Sequence, residues 1–300
     1  MSAWGRYLAR CIVLACGISG IGWAARCTTV VEPDVLREYA HYVAAEEQAM
    51  AGRFDSGELA WVPGPEFRQA EAQLAGGHMV RWNVSDATLN RRLAGQNGTV
   101  IHWIGAIRIS GASLADAQSV LDDYDRYAGI YQPMVFESRA VRNVDGPHAA
   151  ADVTLGLRSS FRFASVFPQD YAFQVKGRME DNSDASLLRV HLAANEIRES
   201  DSGVPGRTDF LAPYHDHGIM WALNAYWRVR RQGKDLYLEF ETITLARSVE
   251  EFSCRVGFIP VPKAIVSSAM DALPADCVTV ILEGTRAECE RRALLKVSSR

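Results

Sequence analysis

The stretch YHDHG sets two imidazoles around a carboxylate, His215, Asp216 and His217. Imidazole nitrogens two residues apart beside an acid are a donor set for zinc or iron. A metal centre needs a third or fourth ligand, and the neighbouring sequence supplies none at a matching spacing. The competing reading, a loop whose Asp and His side chains bond adjacent backbone, is the one adopted, and no metal and no cofactor is expected. If the chain moves a proton on a bound molecule, His102, Tyr226 and Asp216 are the groups suited to it. The sequence holds no G-x-S-x-G elbow, Walker loop or H-E-x-x-H, and its run GISGIG lies in an N-terminal apolar stretch instead of between strand and helix. No residue is therefore assigned as catalytic.

These groups need elements to hold them. ALNAYWRVRRQGKDLYLEFETITLAR, residues 222–247, reads as two strands around Gly233-Lys234, with glycine first as a type II′ turn requires. That turn sets Trp227 opposite Phe240, Val229 opposite Leu238 and Arg231 opposite Leu236. On the other face Arg228 meets Glu239, Arg230 meets Tyr237 and Tyr226 meets Glu241. A slip of one residue would scramble both faces. One face is thus expected to be solvated and the other covered.

TVIHWIGAIRIS predicts a further half-buried strand, with Ile101, Trp103, Gly105, Ile107 and Ile109 on one side and His102 and Arg108 on the other. Ser113 and Asp116 form a capping box ahead of a helix carrying Leu114, Ala117, Leu121 and Tyr124 on one stripe. Strand-like runs follow at VFESRAVRNV, AAADVTLGL, DYAFQVKGRM and SLLRVHLAANEIRE, and turn signals between them favour sequential antiparallel pairing. Pro274 is expected to open a final helix whose buried stripe is Val278, Ile281, Leu282, Thr285 and Cys289. That helix is the amphipathic cover the sheet needs. A curved sheet does not close flush on a straight helix, and apolar room left between them suits a small molecule.

DYDRYAGIYQP (123–133), DHG (216–218), LNAYWR (223–228) and EFETITLAR (239–247) resemble the bacterial branch of the START-like, or SRPBCC, superfamily. That superfamily includes lipid-transfer START domains, polyketide cyclases and the birch-pollen-allergen helix-grip proteins. The resemblance spans residues 78–292 and implies an α+β helix-grip fold, a curved antiparallel sheet around a long C-terminal helix. It also implies a cavity holding a lipid, sterol, quinone or polyketide-like ligand. Most members bind or carry, and a minority catalyse. Candidate ligand-binding residues are Trp103, Trp221, Trp227 and Phe240 from the strands, with Tyr124, Tyr131 and Ile281 from the helices. Each aromatic at strand spacing has a second reading as simple core.

Bulk properties bound the rest. Over 300 residues, 48% are hydrophobic and 23% charged, the net charge is −4, and no block of Lys or Arg appears, so a nucleic-acid partner is not expected. Arg6 and Arg10 precede an uncharged run over 11–25, the layout of a secretory signal or N-terminal anchor. The expected organisation is a signal or anchor over 1–26, a helical arm over 27–76 and a START-like domain over 77–295. The expected location is the periplasm or the exterior, with 11–25 as a tether to a membrane surface. Cys27, Cys254, Cys277 and Cys289 remain after a leader is removed, and their pairing is open. The leading expectation is a non-enzymatic binder or carrier of a hydrophobic molecule. Its alternatives are a cyclase or hydratase acting in the same cavity, and an interaction module docking through the arm.

Overall fold

The computed structural model describes residues 28–55, 66–143, 150–163, 167–181, 187–200, 209–251, 255–256, 259–260 and 263–298. Residues 1–26, expected to be a signal or anchor, lie outside the described residues, as do Cys27 and Cys254. After a short strand β1 (Thr29–Val30), α1 (Pro33–Asp55) and α2 (Glu66–Ala75) form the arm. Next come β2 (Val80–Asn83), α3 (Ala87–Ala94), β3 (Gly98–Ile109), α4 (Leu114–Leu121) and the single turn α5 (Tyr127–Ile130). Four strands run in succession, β4 (Val135–Asn143), β5 (Ala150–Phe163), β6 (Phe167–Asp181) and β7 (Leu187–Glu199). The two-residue β8 (His215–Asp216) precedes the hairpin of β9 (Ala222–Gln232) and β10 (Asp235–Arg247). The short pair β11 (Arg255–Val256) and β12 (Ile259–Pro260) leads to α6 (Lys263–Ser298).

Eight strands make one curved antiparallel sheet in the order β2-β3-β10-β9-β7-β6-β5-β4. Sequential pairing from β4 to β7 follows the expectation. The hairpin takes the expected register at every position named above, Trp227 to Phe240 and Arg228 to Glu239 among them. Gly233 has φ +63° and Lys234 does not share the positive sign, which is the II′ pattern. The Ser113–Asp116 capping box is present in both directions.

The concave face carries the main core. Ile101, Ile107, Phe240, Leu238, Trp227, Val190 and Val175 pack there with Val278, Ile281 and Leu282 of α6. Gly105 allows the close approach: a Cβ at that position would lie 2.4 Å from Val278 Cγ1 and 2.9 Å from Leu282 Cδ1. Pro274 lies within α6 and does not open it. The missing N–H costs one backbone bond, which a helix of 36 residues packed on a sheet absorbs.

The second correction concerns the outer face. The side of the hairpin read as solvated is buried: Glu241 is 0% exposed, Arg228 5%, Glu239 6% and Tyr226 7%. The arm covers it. Val35, Tyr39, Val43 and Met50 of α1 pack with Val100, Tyr226, Ile243 and Leu245, and Ala70 and Leu74 of α2 pack with Val80, Ile104 and Ala106. The molecule is thus three layers, arm helices, sheet and α6.

Candidate functional site

The strand alternation sorts the polar groups onto two faces. On the outer face, Arg228 contacts the carboxylates of both Glu239 and Glu241. Glu241 also receives His102 Nε2 at 2.7 Å, and the Tyr42 hydroxyl of α1 lies 2.8 Å from His102 Nδ1. Donation from Tyr42 to Nδ1 leaves the imidazole proton on Nε2, facing Glu241. Tyr226 donates to Glu47 at 2.9 Å and stacks on His191 with centroids 4.3 Å apart. Burial pushes the Glu241 carboxyl upward, but Arg228 and His102 outweigh it and hold it at about 2. Burial dominates at Glu239 and, opposed by Arg228, brings its carboxyl to about 7. Glu46, His102 and Glu241 bring three potential metal-ligand atoms within 4.8 Å of one another. The guanidinium already seated on Glu241 neutralises that corner, so the cluster is best described as the polar seam joining arm to sheet.

On the concave face the character changes along the sheet. Arg81 on β2 donates to Ala275 O at 2.9 Å, and Glu290 reaches toward Ser110, so α6 from Ala275 onward runs over the Gly105-to-Ile109 end. Tyr131 belongs to that packed end: it is fully buried and its hydroxyl lies 3.1 Å from Thr285 Oγ1. Tyr124 and Tyr127 stack edge-on at 5.7 Å, and Tyr127 donates to Leu121 O. Ile281 sits in the same packing. These tyrosines are core and not an entrance.

The other end of the concave face holds Trp103 and Ile101 of β3, Thr242 and Thr244 of β10, and Leu223 and Ala225 of β9, placed together by register. Trp227 and Phe240 adjoin it with ring centroids 4.8 Å apart. Here two donors stand out. The indole Nε1 atoms of Trp103 and Trp227 are both buried and have no hydrogen-bond partner among the described residues.

At the margin of this end sits an acid-base group. Glu199 pairs in register with Phe173, a core residue of the concave face, so its side chain shares that face. His217 Nδ1 lies 2.9 Å from Glu199 Oε1, and the His217 backbone N–H donates to Glu199 Oε2 at 3.1 Å. Asp216 Oδ1 accepts from Gly218 N–H at 2.8 Å and Trp221 Nε1 at 2.9 Å, whereas its buried Oδ2 has no hydrogen-bond partner among the described residues. Burial, with the neighbouring Glu199 carboxylate, raises the Asp216 carboxyl to about 6. His215 points to solvent, so the H-x-H pair is split, and the sequence reading missed Glu199 because eighteen positions separate it from His217.

Trp221 is the correction among the candidate ligand residues. Alternation from Trp227, Ala225 and Leu223 would put it on the concave face. It precedes the first residue of β9, and its indole turns to Asp216 and the arm-side cluster with Val31 and Tyr39.

An eight-stranded antiparallel sheet holding a C-terminal helix in its concave face is the helix-grip arrangement. The fold is START-like. No family model and no curated protein matches this chain. Among solved structures it is similar to a STAR-related lipid transfer protein fragment from Xanthomonas axonopodis, at 12% identity and TM-score 0.38 over 70% of this chain and 98% of that one. It is similar also to the Zhui aromatase/cyclase from Streptomyces sp. R1128, at 15% identity and TM-score 0.39 over 64% and 95%. A START superfamily protein from Mycobacterium smegmatis matches at 10% identity and TM-score 0.38 over 63% and 97%. Likenesses this distant carry no argument about activity. The START-like assignment rests on the strand order and the gripped helix themselves.

Proposed function

We propose that this chain binds a hydrophobic small molecule on the concave face, at the end lined by Ile101, Trp103, Leu223, Ala225 and Trp227. The observation that carries this reading is the pair of buried indole N–H groups without acceptors. An unsatisfied buried donor costs roughly 1–3 kcal/mol, and two in one apolar surface is an arrangement that packing alone does not favour. A bound molecule with acceptor atoms recovers that cost while covering apolar side chains at roughly 25 cal/mol per Å².

Export belongs to the proposal, with residues 11–25 as leader or membrane tether, on the strength of the basic then uncharged composition of the first 26 residues. Protein purified from its native host is expected to release an extractable hydrophobic molecule detectable by mass spectrometry. An empty protein that also takes up no naphthalene-based probe would sink the reading.

A second reading, catalysis in the same place, is favoured by Glu199 and His217 on the concave margin. A buried carboxylate at Nδ1 fixes the orientation and tautomer of the imidazole it holds, as general acid-base work requires. Under this reading His217→Ala and Glu199→Gln abolish turnover of the extracted molecule while leaving its binding in place. Retained turnover in both variants would remove the catalytic reading.

A further inference from the structure

Resting on the binding reading above, we infer that β1 is a latch. By adding a strand to β8 it holds residues 214–220 shut across the margin of the concave face, and its release admits a ligand there. β8 pairs with β1 in a two-stranded sheet apart from the eight-stranded one, Thr29 with Asp216 and Val30 with His215. Val31 N–H extends that ladder to Tyr214 O at 3.3 Å. Past β8 the chain carries Ile219 and Met220, each 7% exposed, into the core cluster that includes Ile101 and Leu223. Trp221 then turns to the arm-side cluster, so this segment bridges the two cores.

The segment has the marks of a strap that swings as a unit. Positive φ brackets β8: +63° at Tyr214, where a side chain makes left-handed backbone costly, and +79° at Gly218. A strained residue persists because its surroundings hold it, and the bond from Val31 is on the Tyr214 carbonyl. On the far side, Gly218 O accepts from Arg247 N–H at 2.7 Å, which keeps the strap attached to β10 as its near side opens. His217, held by Glu199 at 2.9 Å, rides on the same strap and is the second attachment that opening breaks. The latch itself is slight. β1 has two residues, Val30 is 53% exposed, and Thr29 Oγ1 accepts from Asn97 Nδ2 at 3.1 Å. Elements that move to admit ligands are drawn from this low-stability end of a fold. β1 also follows closely on the stretch proposed as leader or tether, so a pull on that stretch reaches the strap through one short strand.

The test locks the latch. Ladder bonds alternate along an antiparallel pair, and Val31 bonds Tyr214, so Val30 and His215 form the non-bonded pair. Their Cα atoms are then about 4.5 Å apart, within the roughly 4.4–6.8 Å that a disulfide spans. Both residues are exposed. Val30→Cys with His215→Cys is made in the full chain, with Cys11, Cys16, Cys27 and Cys254 changed to Ser so that no native thiol outside the described residues competes. Uptake of N-phenyl-1-naphthylamine is followed by stopped-flow fluorescence in the oxidised and the reduced protein. Uptake follows the open fraction, so the oxidised form is expected to be at least about tenfold slower, and reduction to restore the rate. Equal rates in the two forms overturn the latch and leave the binding reading standing. Where the disulfide does not form, Thr29→Pro decides: it removes a ladder N–H and is expected to speed uptake severalfold over the unaltered chain, and an unchanged rate overturns the latch. A chain that takes up no probe in any state removes the binding reading instead. Hydrogen exchange of the Ile219 and Met220 amides then decides the latch, which falls if oxidation, or Thr29→Pro, leaves their protection unchanged.

Discussion

Asp216 carries a burial cost that a single substitution can remove. Its carboxyl is raised from 3.8 to about 6, so between these values the folded chain keeps a proton that the unfolded chain has released. Stability from this group therefore falls as pH rises through that window, by about 1.4 kcal/mol for each pKa unit. Asp216→Asn keeps an oxygen for Gly218 and Trp221 and removes the charge. It is expected to flatten the Tm-against-pH curve between about pH 4 and 6 and to stabilise the chain at pH 7 by about 1–2 kcal/mol. An unchanged slope would show that Asp216 is not the group responsible. Glu241 has the opposite sign. Held at about 2, it contributes stability above its ordinary value of 4.5 that is lost as pH falls toward 2. Glu241→Gln strips Arg228 and His102 of a buried counter-charge and is expected to cost about 3 kcal/mol in urea unfolding.

At the scale of elements, the arm and the terminal helix hold the sheet from opposite sides by different means. The arm is joined through polar tips: Tyr39 donates to Ile243 O at 2.8 Å, Tyr42 reaches His102, and Glu47 accepts from Tyr226. Tyr42→Phe is expected to cost about 1 kcal/mol and to raise amide exchange in α1 ahead of the sheet. The terminal helix is joined by shape. Gly105→Ala drives a methyl against Val278 and Leu282, and a loss of about 1–3 kcal/mol is expected, with the α6 amides from Val278 to Thr285 losing protection first. The hairpin was legible from sequence because a two-residue turn and a period of two leave one register that pairs apolar with apolar. The cover over its charged face was not. Arg228, Glu239 and Glu241 read as surface residues until another element neutralises and buries them. The sequence shows α1 as a helix with Tyr and Glu along it, without saying which surface it meets.

For the whole molecule, the binding reading places a ligand on the concave face beside Trp103 and Trp227, whose indole N–H groups have no acceptor among the described residues. Ligand that binds only the folded chain stabilises it by RT ln(1 + [L]/Kd), about 2.7 kcal/mol at a hundredfold excess over Kd. The molecule extracted from the native protein is expected to raise Tm with concentration on this curve, and a flat Tm would mean that it does not select the folded state. The same layering makes the arm part of the fold. Its apolar stripe from Val35 to Met50 closes a core that the sheet's outer face would otherwise expose.

What the sequence determined by itself is local and periodic: the strand alternation, the Gly233 turn, the Ser113 cap and the apolar stripe of the last helix. Each follows from neighbours within a few residues. Only the tertiary structure decided which charges are buried, where Trp221 turns, and that Glu199 meets His217, because these depend on which distant surface excludes water from a given side chain. Periodicity assigns a residue to a face, and burial depends on what the rest of the chain lays over that face.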